Sequence, residues 1–109
     1  GDAEVSQKEI FGPVICVYPY TDMDEAIDRA NSLDVAFQAA VFTKDMDTAF
    51  RAYKLLDGTA IMVNDHTAFR VDWMPFAGAR HSGHGVGGIP HTIHEMQIQK
   101  MMVLRSDEL

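Results

Sequence analysis

A chain of 109 residues, 47% hydrophobic and 23% charged, has the size and composition of one globular unit with little stability in reserve. Its formal net charge of -7 argues against binding nucleic acid or anionic lipid through a general positive field. No stretch reaches the eighteen or so consecutive apolar residues of a membrane span, no basic-then-apolar leader opens the chain, and the single cysteine, Cys16, closes no internal disulfide, so a reducing cytoplasm is the expected compartment.

In chain order, residues 14–20 are apolar on both faces and rich in β-branched side chains, which predicts a central strand covered on both sides. Thr21-Asp22-Met23-Asp24 has the spacing of a capping box, and Met23, Ala26, Ile27, Ala30 and Leu33 recur along one face. A helix is therefore expected from about residue 22 to 32. Residues 38–42 predict a second strand and Thr43-Lys44-Asp45 a turn and cap. The stripe Met46, Ala49, Phe50, Tyr53 and Leu56 predicts a second helix, with Gly58 as a left-handed C-terminal cap. Residues 60–63 predict a third strand. The fold class that follows is α/β, a partial parallel sheet built from two consecutive strand-helix-strand units with right-handed crossovers.

From Asn64 to Pro90 no period is sustained, and Gly, His and aromatic residues accumulate; a loop of this length is usually functional or disordered. A short helix near residues 91–96 and a strand over 100–104 close the chain.

The sharpest local motif is Glu9-Ile10-Phe11-Gly12-Pro13. On extended chain Glu9 and Phe11 share one face, where a carboxylate and a ring could meet a sugar diol and a planar base. An exposed Glu ahead of a core Phe is the plainer account of the same residues. Cys16, set in a buried strand with no seat for an activating base, is expected to be an inert thiol. His91, His94 and Glu95 share one turn, but a catalytic zinc site needs three protein ligands and no third is convincingly placed, so no metal is expected. Gly83-His84-Gly85-Val86-Gly87-Gly88 spells a dinucleotide fingerprint; it lacks a strand just before it, and Pro90 argues against a helix opening within it, so a turn-rich loop is expected.

Glu-x-Phe-Gly-Pro before a buried-type strand resembles the signature of the aldehyde dehydrogenase superfamily. Further blocks follow in that family's order: Arg29-Ala30-Asn31, the run from Ala39 to Asp45, Val63-Asn64, Pro75-Phe76-Ala77-Gly78 and Ser82-Gly83-His84-Gly85. The likeness runs nearly from end to end and covers the family's C-terminal region. Lys8 stands where many members have Glu, Ala77 where Gly is usual and Arg80 where Lys is usual. Val86-Gly87 replaces a common Arg-Glu, which implies a different anchorage of the loop.

The resemblance implies an enzyme that oxidises an aldehyde to a carboxylic acid with NAD or NADP through a cysteine thiohemiacetal and thioester. Within it, Glu9 holds the nicotinamide ribose hydroxyls, Phe11 packs near the nicotinamide, and Phe69 and Phe76 line the aldehyde tunnel. The stretch 69–76 also looks like branches acting on small polar or anionic aldehydes such as lactaldehyde and phosphonoacetaldehyde. Arg70 would then clamp a substrate carboxylate or phosphonate; a salt bridge from Arg70 to Asp72 or another acid is the alternative. Residues 1–98 are implied to be the distal part of the catalytic domain, with loop 64–90 on the substrate side, and 99–109 an oligomerisation strand and tail serving a homodimer or homotetramer. The nucleophile, its companion Asn, the general-base Glu and the nucleotide-binding domain lie upstream in the family, so the isolated chain is expected to be inactive. The opening at Gly1 without an initiating Met favours an engineered or proteolytic fragment. A reading of another class is a stand-alone, non-enzymatic interaction domain that kept the oligomerisation surface, and nicotinamide-nucleotide affinity of the complete polypeptide separates the two.

Overall fold

The computed structural model describes residues 3–108. After a 3₁₀ turn at Glu4–Ser6 come helix α1 (Met23–Asn31), strands β1 (Val35–Ala36) and β2 (Gln38–Val41), helix α2 (Met46–Leu55), strands β3 (Ala60–Val63) and β4 (Ala79–Arg80), and helix α3 (Ile89–Glu95).

Local chemistry sets both long helices. Asp22, in extended backbone, accepts from the Asp24 N–H at 2.9 Å, so α1 is capped by Asp22 itself, one residue later than the capping-box spacing from Thr21 suggests. Asp24 and Glu25 in its first turn and Arg29 in its last complement the helix dipole. Asp45 caps α2, accepting from the Thr48 N–H at 2.8 Å and the Thr48 hydroxyl at 2.5 Å. The helices are joined by Arg51, whose guanidinium meets the Asp24 carboxylate at 2.5 Å.

The two Thr48 bonds, the hydroxyl's foremost, hold the Asp45 carboxyl below its ordinary range. A carboxyl whose folded pKa lies below its unfolded value stabilises the fold above the unfolded pKa, near 4, and loses that contribution as pH falls through the folded value. Asp45→Asn keeps a capping oxygen and removes the charge. Its melting temperature is therefore expected to lie below the parent's at pH 7 and to converge on it in acid, once the parent's Asp45 is protonated in the folded state as well. A gap that stays constant from neutral to acid pH would show that the charge at this cap contributes nothing.

A parallel β2-α2-β3 unit forms over the residues expected for it, but of the predicted helical stripe only Ala49 is buried, while Met46, Phe50 and Tyr53 are 63%, 63% and 68% exposed. β2 and β3 run parallel in the register Gln38↔Ala60 to Val41↔Val63, and α2 packs on β3 with Ala49 and Ala52 buried. Gly58 acts differently from expectation: α2 ends at an extended Leu56, and a Cβ on Gly58 would stand 2.8 Å from Ile61 Cδ1 and 3.4 Å from the Phe37 carbonyl oxygen. The residue is small for clearance, and left-handedness plays no part.

Two expected strands do not form. Residues 14–20 and 100–104 are extended chain without ladder partners among the described residues, with Ile15 88% and Met102 85% exposed. A strand exists only by pairing, and a segment apolar on both faces is suited to cover on both faces. The described residues supply neither, so the first strand-helix-strand unit lacks its opening strand and the sheet is smaller than predicted. The same shortage shows in the dimensions. The radius of gyration is 20.2 Å against about 13 Å for a compact chain of this length, and the accessible surface is 9461 Å² against about 6,000 Å². Among the described residues the buried apolar core is Ile27, Ala49, Ala52 and Met62. No helix there is long and apolar enough to cross a membrane.

Candidate functional site

The segment after β3 is tied down at both ends. Asn64, at φ 58°, donates its N–H to the Val41 carbonyl, accepts the Thr43 N–H on its side-chain oxygen and donates its amide to the Thr43 carbonyl, each at 2.8 Å. Beyond the outer limb, Phe76 exchanges two backbone bonds with Gly87, at 3.0 and 2.7 Å. β4 then pairs antiparallel with β1, Val35 opposite Arg80 and Ala36 opposite Ala79.

Arg80, also left-handed at φ 55°, reaches the Asn31 carbonyl at 2.8 Å, the Leu33 carbonyl and the Asp57 carboxylate. Asn31 in turn donates to the Leu55 carbonyl at 2.7 Å and accepts from the Asp57 N–H at 3.0 Å. The ends of α1 and α2 and the returning loop thus meet at one polar node. The loop is ordered by these long-range bonds, which leave no periodic trace in the sequence. Asn31, Asn64 and Arg80 lie within or beside the motif blocks, but residue type alone did not mark them as anchors.

Gly88 caps α3 at φ 107°, and a Cβ there would lie 2.5 Å from the Met74 carbonyl oxygen, so glycine is required both for handedness and for space. A helix therefore does open at the end of the glycine-rich run, with Pro90 in its first turn, where a missing N–H is harmless. The short helix expected near residues 91–96 thus forms, starting two residues earlier. The strand before it, β4, is two residues long and antiparallel, so the strand-turn-helix unit of a dinucleotide fingerprint is still not what forms.

Glu9 is exposed and lines an open cavity of about 1180 Å³ together with Phe37, Gly58, Phe76, His81 and His84. Its neighbour Lys8 pairs with Glu4 at 2.7 Å, and no ion pair engages the Glu9 carboxylate among the described residues. Phe11 is 95% exposed and does not line that cavity. Tight i→i+2 bonds, Gly12 N–H to the Ile10 carbonyl and Val14 N–H to the Gly12 carbonyl at 2.8 Å, bend the chain at Phe11 and again at Pro13. The core-Phe reading of this residue is not what the structure shows.

On the loop, the Arg70 guanidinium lies 4.4 Å from the centroid of the Phe76 ring, a cation-π contact in place of a salt bridge to Asp72. Phe37 packs on Phe76 nearly perpendicular to it, at 84° and 4.9 Å between centroids. Phe69 is half-exposed beside Arg70 and outside the cavity. The fold therefore gathers Glu9 and Phe76 on one concavity with Arg70 against Phe76, and leaves Phe11 and Phe69 apart.

Cys16, expected to be buried, is exposed, with its sulfur 3.8 Å from the Val5 carbonyl oxygen. The strand that would have enclosed it does not form. His91, His94 and Glu95 lie in α3, and no group of three or more His, Cys, Asp or Glu gathers as a metal site requires among the described residues.

A parallel β-α-β unit beside an open cleft is an α/β arrangement. The aldehyde dehydrogenase family model matches residues 1–102, and the chain belongs to that family. It is 37% identical over 103 residues to 3-sulfolactaldehyde dehydrogenase of Priestia aryabhattai, covering 94% of this chain and 22% of that one. It is 38% identical over 102 residues to lactaldehyde dehydrogenase of Methanococcus maripaludis, with the same two coverages. Among solved structures it superposes on aldehyde dehydrogenase 21 from Physcomitrella patens, in complex with the reaction product succinate, with a TM-score of 0.83 and 35% identity over 91% of this chain and 21% of that one. It also superposes on the NADP-dependent glyceraldehyde-3-phosphate dehydrogenase of Bacillus halodurans, complexed with NADP, with a TM-score of 0.80 and 37% identity over 84% and 19%. The chain spans about a fifth of the length of these relatives.

Proposed function

We propose that this chain is the distal part of the catalytic domain of an NAD- or NADP-dependent aldehyde dehydrogenase, binding the nicotinamide ribose through Glu9 and the aldehyde through Phe69, Arg70 and Phe76. The observation that carries the proposal is that Glu9, exposed and in no ion pair among the described residues, lines the cavity that Phe76 also lines. The donor set suits the cofactor: a carboxylate is acceptor-only and takes both hydroxyls of a vicinal diol, and an exposed Phe11 ring is free to move against a planar base. When bound, the nicotinamide accepts hydride from the substrate carbon. Glu9 fixes the ribose at reaction distance, which is an orientation effect. The nucleophilic cysteine belongs to sequence upstream of residue 9, and the isolated chain is inactive.

The substrate is a small polar or anionic aldehyde. Arg70, held over Phe76, offers a planar fork to a carboxylate, sulfonate or phosphonate. Residues 1–98, with loop 64–90 on the substrate side, are the catalytic part; 99–109, which form no strand among the described residues of the single chain, become an oligomerisation strand and tail only against a second copy, and the enzyme works in the cytoplasm.

Titration of the complete polypeptide with NAD and NADP tests this function. Binding of either supports it, whereas self-association without nucleotide affinity would replace it with the interaction-domain reading. The exposed apolar stretch 101–104 gives a separate expectation, a dimer or tetramer by light scattering. A well-folded monomer would contradict the assignment of 99–109 as an oligomerisation strand.

A further inference from the structure

We infer that Phe37 is a positioning residue for the anion clamp, acting on it through Phe76 and Arg70; the inference rests on the reading of Arg70 given above. Phe37 is the single residue between β1 and β2, and its backbone is fixed on every side. Ala36 donates its N–H to Ser82 Oγ at 2.9 Å, Gln38 pairs with Ala60, and the Phe37 carbonyl accepts both the N–H of Thr59 at 2.7 Å and its hydroxyl at 2.8 Å.

Phe76 is held equally well in its backbone by the double exchange with Gly87, but a backbone bridge does not set the rotation of a ring. The near-perpendicular contact with Phe37, at 84° and 4.9 Å, does set it, and this is a preferred geometry for an aromatic pair. Arg70, with a long side chain on the outer limb of the loop, takes its place from the ring on which its guanidinium lies at 4.4 Å. The order of control runs from a rigid strand junction to Phe37, from Phe37 to the plane of Phe76, and from that plane to the position of a charge. Nothing in the chain of contacts carries polarity except its last member. Loss of Phe37 is therefore felt more by charged substrates than by neutral ones.

The test uses the full-length enzyme and two aldehydes of equal length, one ending in a carboxylate and the other in a methyl group. Phe37→Leu should raise KM for the carboxylate substrate about five- to tenfold, as expected from loss of an aromatic pair and the cation-π contact it orients, and raise the neutral KM by a clearly smaller factor. Phe37→Tyr, which keeps a ring, should match the parent, and Phe37→Leu should add no further loss in an Arg70→Gln background. Phe37 is 38% exposed, so the substitution leaves the fold intact; Phe37→Met is a second ringless variant should Leu pack poorly. If Arg70→Gln discriminates between the substrates while Phe37→Leu and Phe37→Met affect both alike or neither, Phe37 is packing alone and the inference is overturned. If Arg70→Gln itself does not discriminate, the clamp reading fails and the inference goes with it.

Discussion

Glu9→Gln in the complete enzyme should slow hydride transfer and weaken nicotinamide-nucleotide binding by about 10- to 100-fold. A hydrogen bond to a charged acceptor contributes roughly 1.5–3 kcal/mol, and each 1.36 kcal/mol is a factor of ten in rate or affinity. Gln preserves size and one acceptor oxygen, but puts a donor where the second ribose hydroxyl needs an acceptor. Stability should hardly move, because Glu9 is exposed and no ion pair holds its carboxylate among the described residues, so no buried partner is orphaned. Rapid-mixing measurements separate acylation from hydride transfer, and the loss should fall on the second. Unchanged rates together with unchanged cofactor affinity would remove Glu9 from the site.

Arg70→Gln should raise KM for aldehydes bearing a carboxylate, sulfonate or phosphonate by about 10- to 100-fold, the worth of a charge-assisted, two-pronged hydrogen bond. For an uncharged aldehyde of the same length the change should stay within about twofold, since what remains there is stacking on Phe76. Arg70→Lys should recover only part of the loss, because an ammonium keeps the charge without the planar fork. The parent's preference for the anionic substrate should also shrink with added salt. Equal loss on both substrates would make Arg70 a structural residue of the loop.

How much of this was legible in the sequence depended on how local each determinant is. The β2-α2-β3 unit was readable because its Asp45 cap and both strands lie within residues 38–63, and each element's partner is in the same stretch; the stripe on α2 named a face that stays largely exposed. Residues 14–20 and 100–104 carry equally strong apolar patterns and still form no strand. Their pattern specifies the cover they require, and the described residues do not provide it. The first helix began one residue off the expected cap because Asp22 and Thr21 are both competent, and the side chain that reaches the Asp24 N–H decides between them.

The site divided along the same line. Glu9 and Phe76 could be named from the motifs, and they do share a cavity. Phe11 does not join them, since its expected neighbour strand is missing and the chain bends at Phe11 itself. The partner of Arg70 could not be foreseen: Asp72 is close in sequence, but the fold of the loop places the Phe76 ring against the guanidinium. The anchors Asn31, Asn64 and Arg80, and Phe37 behind Phe76, act through contacts between distant parts of the chain, which neither periodicity nor composition records.

The most direct measurement is the crystal structure of the complete enzyme with NAD or NADP bound. The account predicts the Glu9 carboxylate oxygens within about 3 Å of both hydroxyls of the nicotinamide ribose. A ribose held by other residues, with Glu9 facing solvent, would contradict it.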